Sequence, residues 1–356
     1  MSGDESEGAP AHPLAALSPR TRVLLIWSGV AVLLVLAFVA AVGAVQRAFY
    51  SPAGFATSYV DALAARDVRA AMAMPGADPT AASLSAQGLP AKPSRELLRP
   101  DVLPHLTGIR VVSDDQLASG SHLVEVAARA NGHPVTAKFT VRQTGSVLGI
   151  LPLWEFAKTP LTVAHIQVQH ADTFTIAGHT LEPRAAEKQP ADAFSVAADY
   201  LMFAPARYSL GHHSRYLTAD TVAFPAAAGQ RVPVAVDAQP TNAFVSVVQT
   251  QLHDFLDDCA KQEVLQPAGC PFGAVIDDRV QGLPAWSIVR YPPVTIQAGE
   301  TGWVMPRSEG AAHLSVTVQS LFDGSVSQRE TDEPFAMSVS KITLRDDGGI
   351  DLVVAD

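Results

Sequence analysis

Between Val23 and Val45 the chain carries 23 consecutive residues without a charged side chain. As a helix this stretch would rise about 34 Å, against a bilayer hydrocarbon core of roughly 30 Å. Fourteen of its residues are Leu, Ile, Val or Phe. At about −0.3 to −0.6 kcal/mol each near the bilayer centre, they favour insertion by roughly 4–8 kcal/mol. The run predicts a single transmembrane helix over 23–45. Arg20 and Arg22 stand just before it and only Arg47 close behind it. That excess of positive charge places the N-terminus in the cytoplasm and the body outside. The rival reading is a cleaved signal peptide, for which Val42-Gly43-Ala44 would serve as a cleavage site. Signal h-regions span only ~7–15 residues, so length favours an uncleaved anchor. Under either reading the body is extracytoplasmic.

Residues 1–22, rich in Ala, Pro, Ser and acidic groups, read as a disordered cytoplasmic tail, too short to bury a core. The net charge is −10, and three acidic against two basic residues in the tail leave −9 on the remainder. An acidic body repels phosphate backbones, which argues against nucleic acid as a partner. There are two cysteines, Cys259 and Cys270, both on the outer side of the expected span. An even count in an oxidising compartment reads as a disulfide, with two unpaired buried thiols as the alternative. No His or Cys stands at metal-ligand spacing around them.

The outer part is long enough for two or three domains. Pro52 can open a helix in which Phe55, Tyr59, Val60, Leu63 and Ala64 recur at helical spacing, and Pro75-Gly76 closes the segment that follows. From Gly108 the period becomes two. Val124, Val126 and Ala128 alternate with Glu125, Ala127 and Arg129, and Asn131-Gly132 signals a two-residue hairpin turn. The return strand places Val135, Ala137, Phe139 and Val141 on one face. This predicts an α+β domain over 50–158. Residues 159–238 hold strand-like runs at 163–168, 173–176 and 232–236 between Pro- and Gly-bearing turns, and read as a small β-sandwich. Over 239–356 the helix-then-sheet order returns. Asn242 can cap a helix striped by Phe244, Val248, Leu252, Phe255, Leu256 and Cys259, and the hairpin pattern at 312–324 mirrors that at 121–132.

The helix ending Tyr59-Val60-Asp61-Ala62-Leu63-Ala64-Ala65-Arg66-Asp67, followed by a sheet ending in Trp154-Glu155-Phe156, resembles the NTF2-like cone fold. It resembles in particular the membrane-anchored NTF2-like proteins of actinobacterial envelopes. The stretch Phe255 to Ala260, continuing from Leu265 to Gly273, looks like a recurring signature of such proteins. Residues Phe203 to Tyr208, with Tyr216-Leu217, are similar to the small β domains of the teicoplanin-resistance-associated membrane proteins. The cytoplasmic zinc ribbon usual in that family is absent here. The resemblance implies an envelope location and a cone-shaped pocket, and it carries over no catalytic residue.

Chemistry-bearing motifs are sparse. Ser338-Val339-Ser340-Lys341 matches S-x-x-K, which needs a helix to bring Lys to Ser, yet its context reads as a strand. His212-His213, with His165 and His170, invites a metal reading, but adjacent strand residues diverge. His253 with Asp257, and Asp254 with Asp258, share a helix face that reads as solvated. Asp277-Asp278 lacks the spaced carboxylates of a calcium loop. Trp154, Trp286 and Trp303 read as core. No P-loop, G-x-S-x-G, H-E-x-x-H or dinucleotide fingerprint is present.

The sequence thus predicts an α+β chain: one N-terminal transmembrane helix, then two NTF2-like domains flanking a small all-β domain. No catalytic, cofactor or metal residue is assigned, and the site residues named are the pair Cys259 and Cys270. The expected role is a non-enzymatic envelope protein, integral to the membrane by one span, that binds a partner protein, a cell-wall component or a small ligand. The alternatives are an envelope enzyme using an NTF2-like cavity for proton transfer or hydrolysis, and a structural spacer. A reporter active only in the cytoplasm, fused after Asp356, is expected to be silent, and one active only outside is expected to work. The opposite pattern would reverse the topology.

Overall fold

The computed structural model describes residues 23–24, 27–38, 50–147, 151–183, 194–345 and 347–355. Three short helices open the body. Helix α1 (Pro52–Ala64) starts on Ser51, whose hydroxyl accepts the Gly54 N–H at 2.9 Å, and Pro52 needs no hydrogen-bond partner there. It buries Ala56, Tyr59, Val60 and Leu63, and stops at Arg66, whose backbone is left-handed at φ 58°. Helices α2 (Val68–Ala73) and α3 (Ala81–Ala86) are capped by Asp67 and Thr80.

The helices cover an antiparallel meander of β1 (Leu106–Gln116), β2 (His122–Ala130), β3 (His133–Val147) and β4 (Leu151–Phe156), paired in chain order. Asn131 and Gly132 both take positive φ, 48° and 83°, as a two-residue turn between twisted strands requires. Val135, Ala137, Phe139 and Val141 face inward, where Tyr59 packs edge-on to Phe139 and Phe156.

Eight strands follow: β5 (Leu161–Gln169), β6 (Phe174–Ile176), β7 (His179–Leu181), β8 (Ser195–Phe203), β9 (Ala206–His213), β10 (Leu217–Ala226), β11 (Arg231–Asp237) and β12 (Gln239–Pro240). They form a three-stranded sheet ordered β11-β5-β8 and a five-stranded sheet ordered β12-β10-β9-β6-β7. In the smaller sheet the two faces serve different cores. Leu161, Val163, Leu201 and Phe203 join the core under α1. Their neighbours Ala164, Ile166, Val168, Tyr200 and Met202 join the sandwich core. The period of two along a strand is what divides them.

Helix α4 (Asn242–Ala260) comes next, capped by Thr241 rather than Asn242, with Phe244, Val248, Leu252, Leu256 and Cys259 buried along one stripe. Each large apolar side chain of that stripe contributes about 1.5–3 kcal/mol of burial. The stripe packs on a second meander of β13 (Arg279–Arg290), β15 (Trp303–Gln319), β16 (Val326–Leu344) and β17 (Ile350–Ala355), with β14 (Gln297–Ala298) pairing β15. The core of this meander is continuous with that of the sandwich.

The α+β expectation is overturned. The chain is mostly β, 49% strand against 19% helix, in several antiparallel sheets. The pair of NTF2-like domains expected around a small β domain is therefore not the architecture that forms. Strand was underestimated because β1 and the first half of β16 are exposed on both faces and so carry no apolar alternation. The expected spanning helix is corrected too. Among the described residues no helix is long and apolar enough to cross a membrane. The stretch is helical at 23–24 and 27–38, and the latter rises only about 18 Å. Residues 25–26 and 39–45 of the expected span lie outside the described residues.

Cys259 and Cys270 stand at disulfide distance, with Cα atoms 5.8 Å apart. Cys259 is buried at the end of the α4 stripe, and the loop turns back through Gly269 at φ 72°. Closing a loop of this length stabilises a fold by about 2–3 kcal/mol in the chain-entropy model. Unreduced protein is therefore expected to show no alkylatable thiol by mass spectrometry. Cys270→Ser is expected to lower the melting temperature without changing the circular dichroism spectrum. Two free thiols would overturn the pairing.

Candidate functional site

A cleft of ≈ 330 Å³ opens where the sandwich meets the second meander. Its inner wall is aromatic. His170 follows β5 in a left-handed conformation (φ 62°), and its N–H donates to the Phe194 carbonyl at 3.0 Å. Its ring lies 5.1 Å from that of Phe194 and 5.7 Å from that of Trp303, while Phe194 meets Trp303 edge-on at 5.5 Å. Nδ1 of His170 lies 2.7 Å from Asp237 Oδ1. A carboxylate only accepts, so Nδ1 carries the proton and the ring orientation is fixed. Trp303 is buried and rests edge-on against Phe244 of α4, which ties this wall to the helix.

The opposite side is polar: Thr173, His212, Ser214, Thr301 and Lys341 line it. His212 is buried, with Nδ1 2.8 Å from the Thr173 carbonyl oxygen. That contact also requires the proton on Nδ1, which leaves the Nε2 lone pair facing Ser214 Oγ at 3.2 Å. Ser214 Oγ itself accepts the Leu217 N–H at 3.0 Å and lies 3.2 Å from the Leu217 carbonyl. The hydroxyl is thus shared between holding the β9–β10 turn and facing the imidazole.

The histidines singled out in the sequence do not converge. His170 and His212 share the cleft. His165 sits apart, where Nδ1 accepts from Arg231 Nη2 at 2.8 Å beside Asp199, which Arg231 bonds at 3.0 and 3.1 Å. His213 is exposed. Among the described residues no group of three or more His, Cys, Asp or Glu is arranged to hold a metal. Ser338 and Lys341 fall on strand β16, and Lys341 lines the cleft without Ser338.

The α4 face expected to be solvated is partly covered. His253 stacks on Tyr291 with ring centroids 3.9 Å apart, and the Tyr291 hydroxyl donates to Asp257. Nε2 of His253 is buried without a hydrogen-bond partner in the described structure. The Asp257 bond raises the Tyr291 pKa, with desolvation adding to it. Asp258 pairs with Lys261, and Asp278 accepts the Leu321 N–H. Cys270 lines a separate cleft of ≈ 430 Å³ with Phe255, Pro271, Ala336 and Val354. No family model, curated protein or solved structure matches this chain.

Sequence spacing gave no hint of the cleft, because Phe194, Ser214, Trp303 and Lys341 come from four separate segments.

His313, on the exposed β15–β16 ladder, presents Nδ1 to Asp332 and Nε2 to Glu330, each at 2.6 Å. Both nitrogens then need protons. The bonds to Asp332 and then Glu330 raise its pKa from the usual 6.5. The bond from His313, then that from Ser315, lowers the Glu330 pKa. The His313 contribution to stability is fully present below pH 6.5 and is lost as pH rises through the raised value. The Glu330 contribution is present above the ordinary carboxylate range and is lost as pH falls through the depressed value. An NMR titration of His313 is expected to show a midpoint above 6.5 that added salt lowers. The loss of melting temperature in His313→Gln is expected to shrink at alkaline pH. A midpoint at or below 6.5 would show that the carboxylates do not hold the imidazolium.

Proposed function

We propose that this chain is a non-enzymatic binding protein of the bacterial cell envelope. Its body is extracytoplasmic and acts at the cell membrane, and it holds a small ligand or a short segment of an envelope partner in the cleft between sandwich and second meander. The observation that carries the reading is the cleft itself. Its volume reaches the lower end of ligand-sized pockets, about 300–1,000 Å³, and it falls at a junction of units, where such sites concentrate. The aromatic wall offers apolar contact, and the hydroxyls and the Lys341 ammonium offer orientation. The cysteine pair at disulfide distance supports an oxidising compartment.

The contact between His212 Nε2 and Ser214 Oγ favours a second reading, hydrolysis through a serine nucleophile. It ranks below binding because the Leu217 backbone already engages the same hydroxyl. One experiment separates the two. A fragment library is screened against the full chain in detergent through tryptophan fluorescence. Binding predicts saturable hits that Ser214→Trp, by filling the cleft, weakens at least tenfold, with no labelling by a fluorophosphonate probe. Covalent labelling of Ser214 that His212→Gln abolishes would establish the enzyme instead. Hits that Ser214→Trp leaves unchanged would remove the cleft from consideration.

A further inference from the structure

A second junction, between the first meander and the sandwich, holds a polar cleft of ≈ 280 Å³. Two arginines line it. Arg66 follows the C-cap of α1, where its N–H donates to the Leu63 carbonyl and the next N–H to the Ala62 carbonyl, at 3.0 and 2.8 Å. That closure needs a left-handed residue, a position ordinarily filled by glycine or asparagine. Arginine holds it at φ 58° despite a cost of about 1–2 kcal/mol. Its Nη1 donates to the Pro100 carbonyl at 2.9 Å. This stretches the side chain across to the loop that walls the cleft and leaves the remaining guanidinium N–H groups without a partner among the described residues.

Arg207, on β9, is half-buried, and its guanidinium has no hydrogen-bond or ion-pair partner among the described residues. This is anomalous in a chain of net charge −10, because a guanidinium removed from water ordinarily finds a carboxylate. Among the described residues, the one carboxylate lining the cleft is Asp101, and it is already engaged. Arg99 grips both its oxygens at 3.1 and 2.8 Å, and His179 Nε2 lies 2.9 Å from Oδ2. Asp101 therefore does not neutralise the pair, and the cleft keeps two arginine charges, with Asn131 and Ser209 on its lining as further polar groups.

We propose that this cleft is an anion site, taking a doubly charged oxyanion ligand, a phosphate group or a small dicarboxylate, between Arg66 and Arg207. A guanidinium presents paired N–H donors that match the oxygens of either group. The ligand would lie where helix α1, the turn at Asn131 and strand β9 meet, so its binding would also pin the first meander to the sandwich. This proposal is independent of the aromatic cleft.

The test uses the full chain in detergent, titrated calorimetrically with inorganic phosphate and, separately, with succinate at constant ionic strength. Saturable binding of phosphate alone identifies a phosphate ligand, and of succinate alone a dicarboxylate. Saturation by both identifies a general dianion site. Binding is expected to raise the melting temperature and to weaken at least tenfold in Arg207→Gln. Arg66→Gly, in which glycine suits the backbone so that the helix end is kept, is expected to do the same. Lys138→Gln, on the exposed face of the first meander, should bind as the parent does. The absence of saturable binding of both probes, or equal affinity in Arg207→Gln and Lys138→Gln, would overturn the site.

Discussion

The pairing of β5 with β8 is the constraint on which the rest of the body depends. Leu161 stands opposite Phe203 and Val163 opposite Leu201, and these four close the core beneath α1. Ala164 opposite Tyr200 and Ile166 opposite Ala198 face the other way, into the sandwich. Because successive side chains alternate, a slip of one residue in this ladder would exchange the two sets and spoil both cores together. The same ladder carries His165 and Asp199 opposite one another. Arg231 of the parallel neighbour β11 caps that pair and bonds the buried Asp199 carboxylate.

From this pair outward the molecule is built by continuity of core rather than by linkers. Phe244 at the start of α4 touches both Tyr216 of the sandwich and Trp303 of the second meander. The Tyr216 hydroxyl donates to the Gly348 carbonyl at 2.8 Å, a second fastening across the same seam. Both clefts lined by the arginines and by the aromatic wall lie on seams of this kind. Close packing explains their position: cores fill to near-crystalline density, so space for a ligand survives mainly where surfaces of independent curvature meet.

What could be read from the sequence follows the same logic. The α1 and α4 stripes, the alternation along β3 and the Asn131-Gly132 turn are signals local to a few residues, and each occupies the place its pattern indicated. The cysteine pair was legible from count and loop length. Strand β1 and the first half of β16 were not, because a strand exposed on both faces has no periodic burial to betray it. Strand β8 was hidden differently. Residues 198–203 are buried without a break and include Asp199, so the segment shows neither alternation nor an uninterrupted apolar run. The helix-then-sheet order was read correctly in outline, but the weight of strand was misjudged. That turned a mostly β chain into an expected α+β one.

The candidate sites were illegible for a further reason. A core position is marked by what it resembles, whereas Arg66 and Arg207 are marked by what they lack. Arg66 lacks the glycine conformation's usual occupant, and Arg207 lacks a described counter-ion. Neither absence exists until the backbone is folded. Residues 66 and 207 then line one cleft, and the carboxylate beside them proves to be held by Arg99 and His179. His170 follows the same rule, being a non-glycine residue in left-handed backbone that lines the aromatic cleft. All four described non-glycine residues with positive φ (Arg66, Asn131, His170 and Ala177) line one or other of these two clefts. Hairpin turns account for Asn131 and Ala177, since each precedes a glycine that also has positive φ. Arg66 and His170 are left as positions where backbone preference yields to the placement of a charged or aromatic side chain, and each belongs to a different seam.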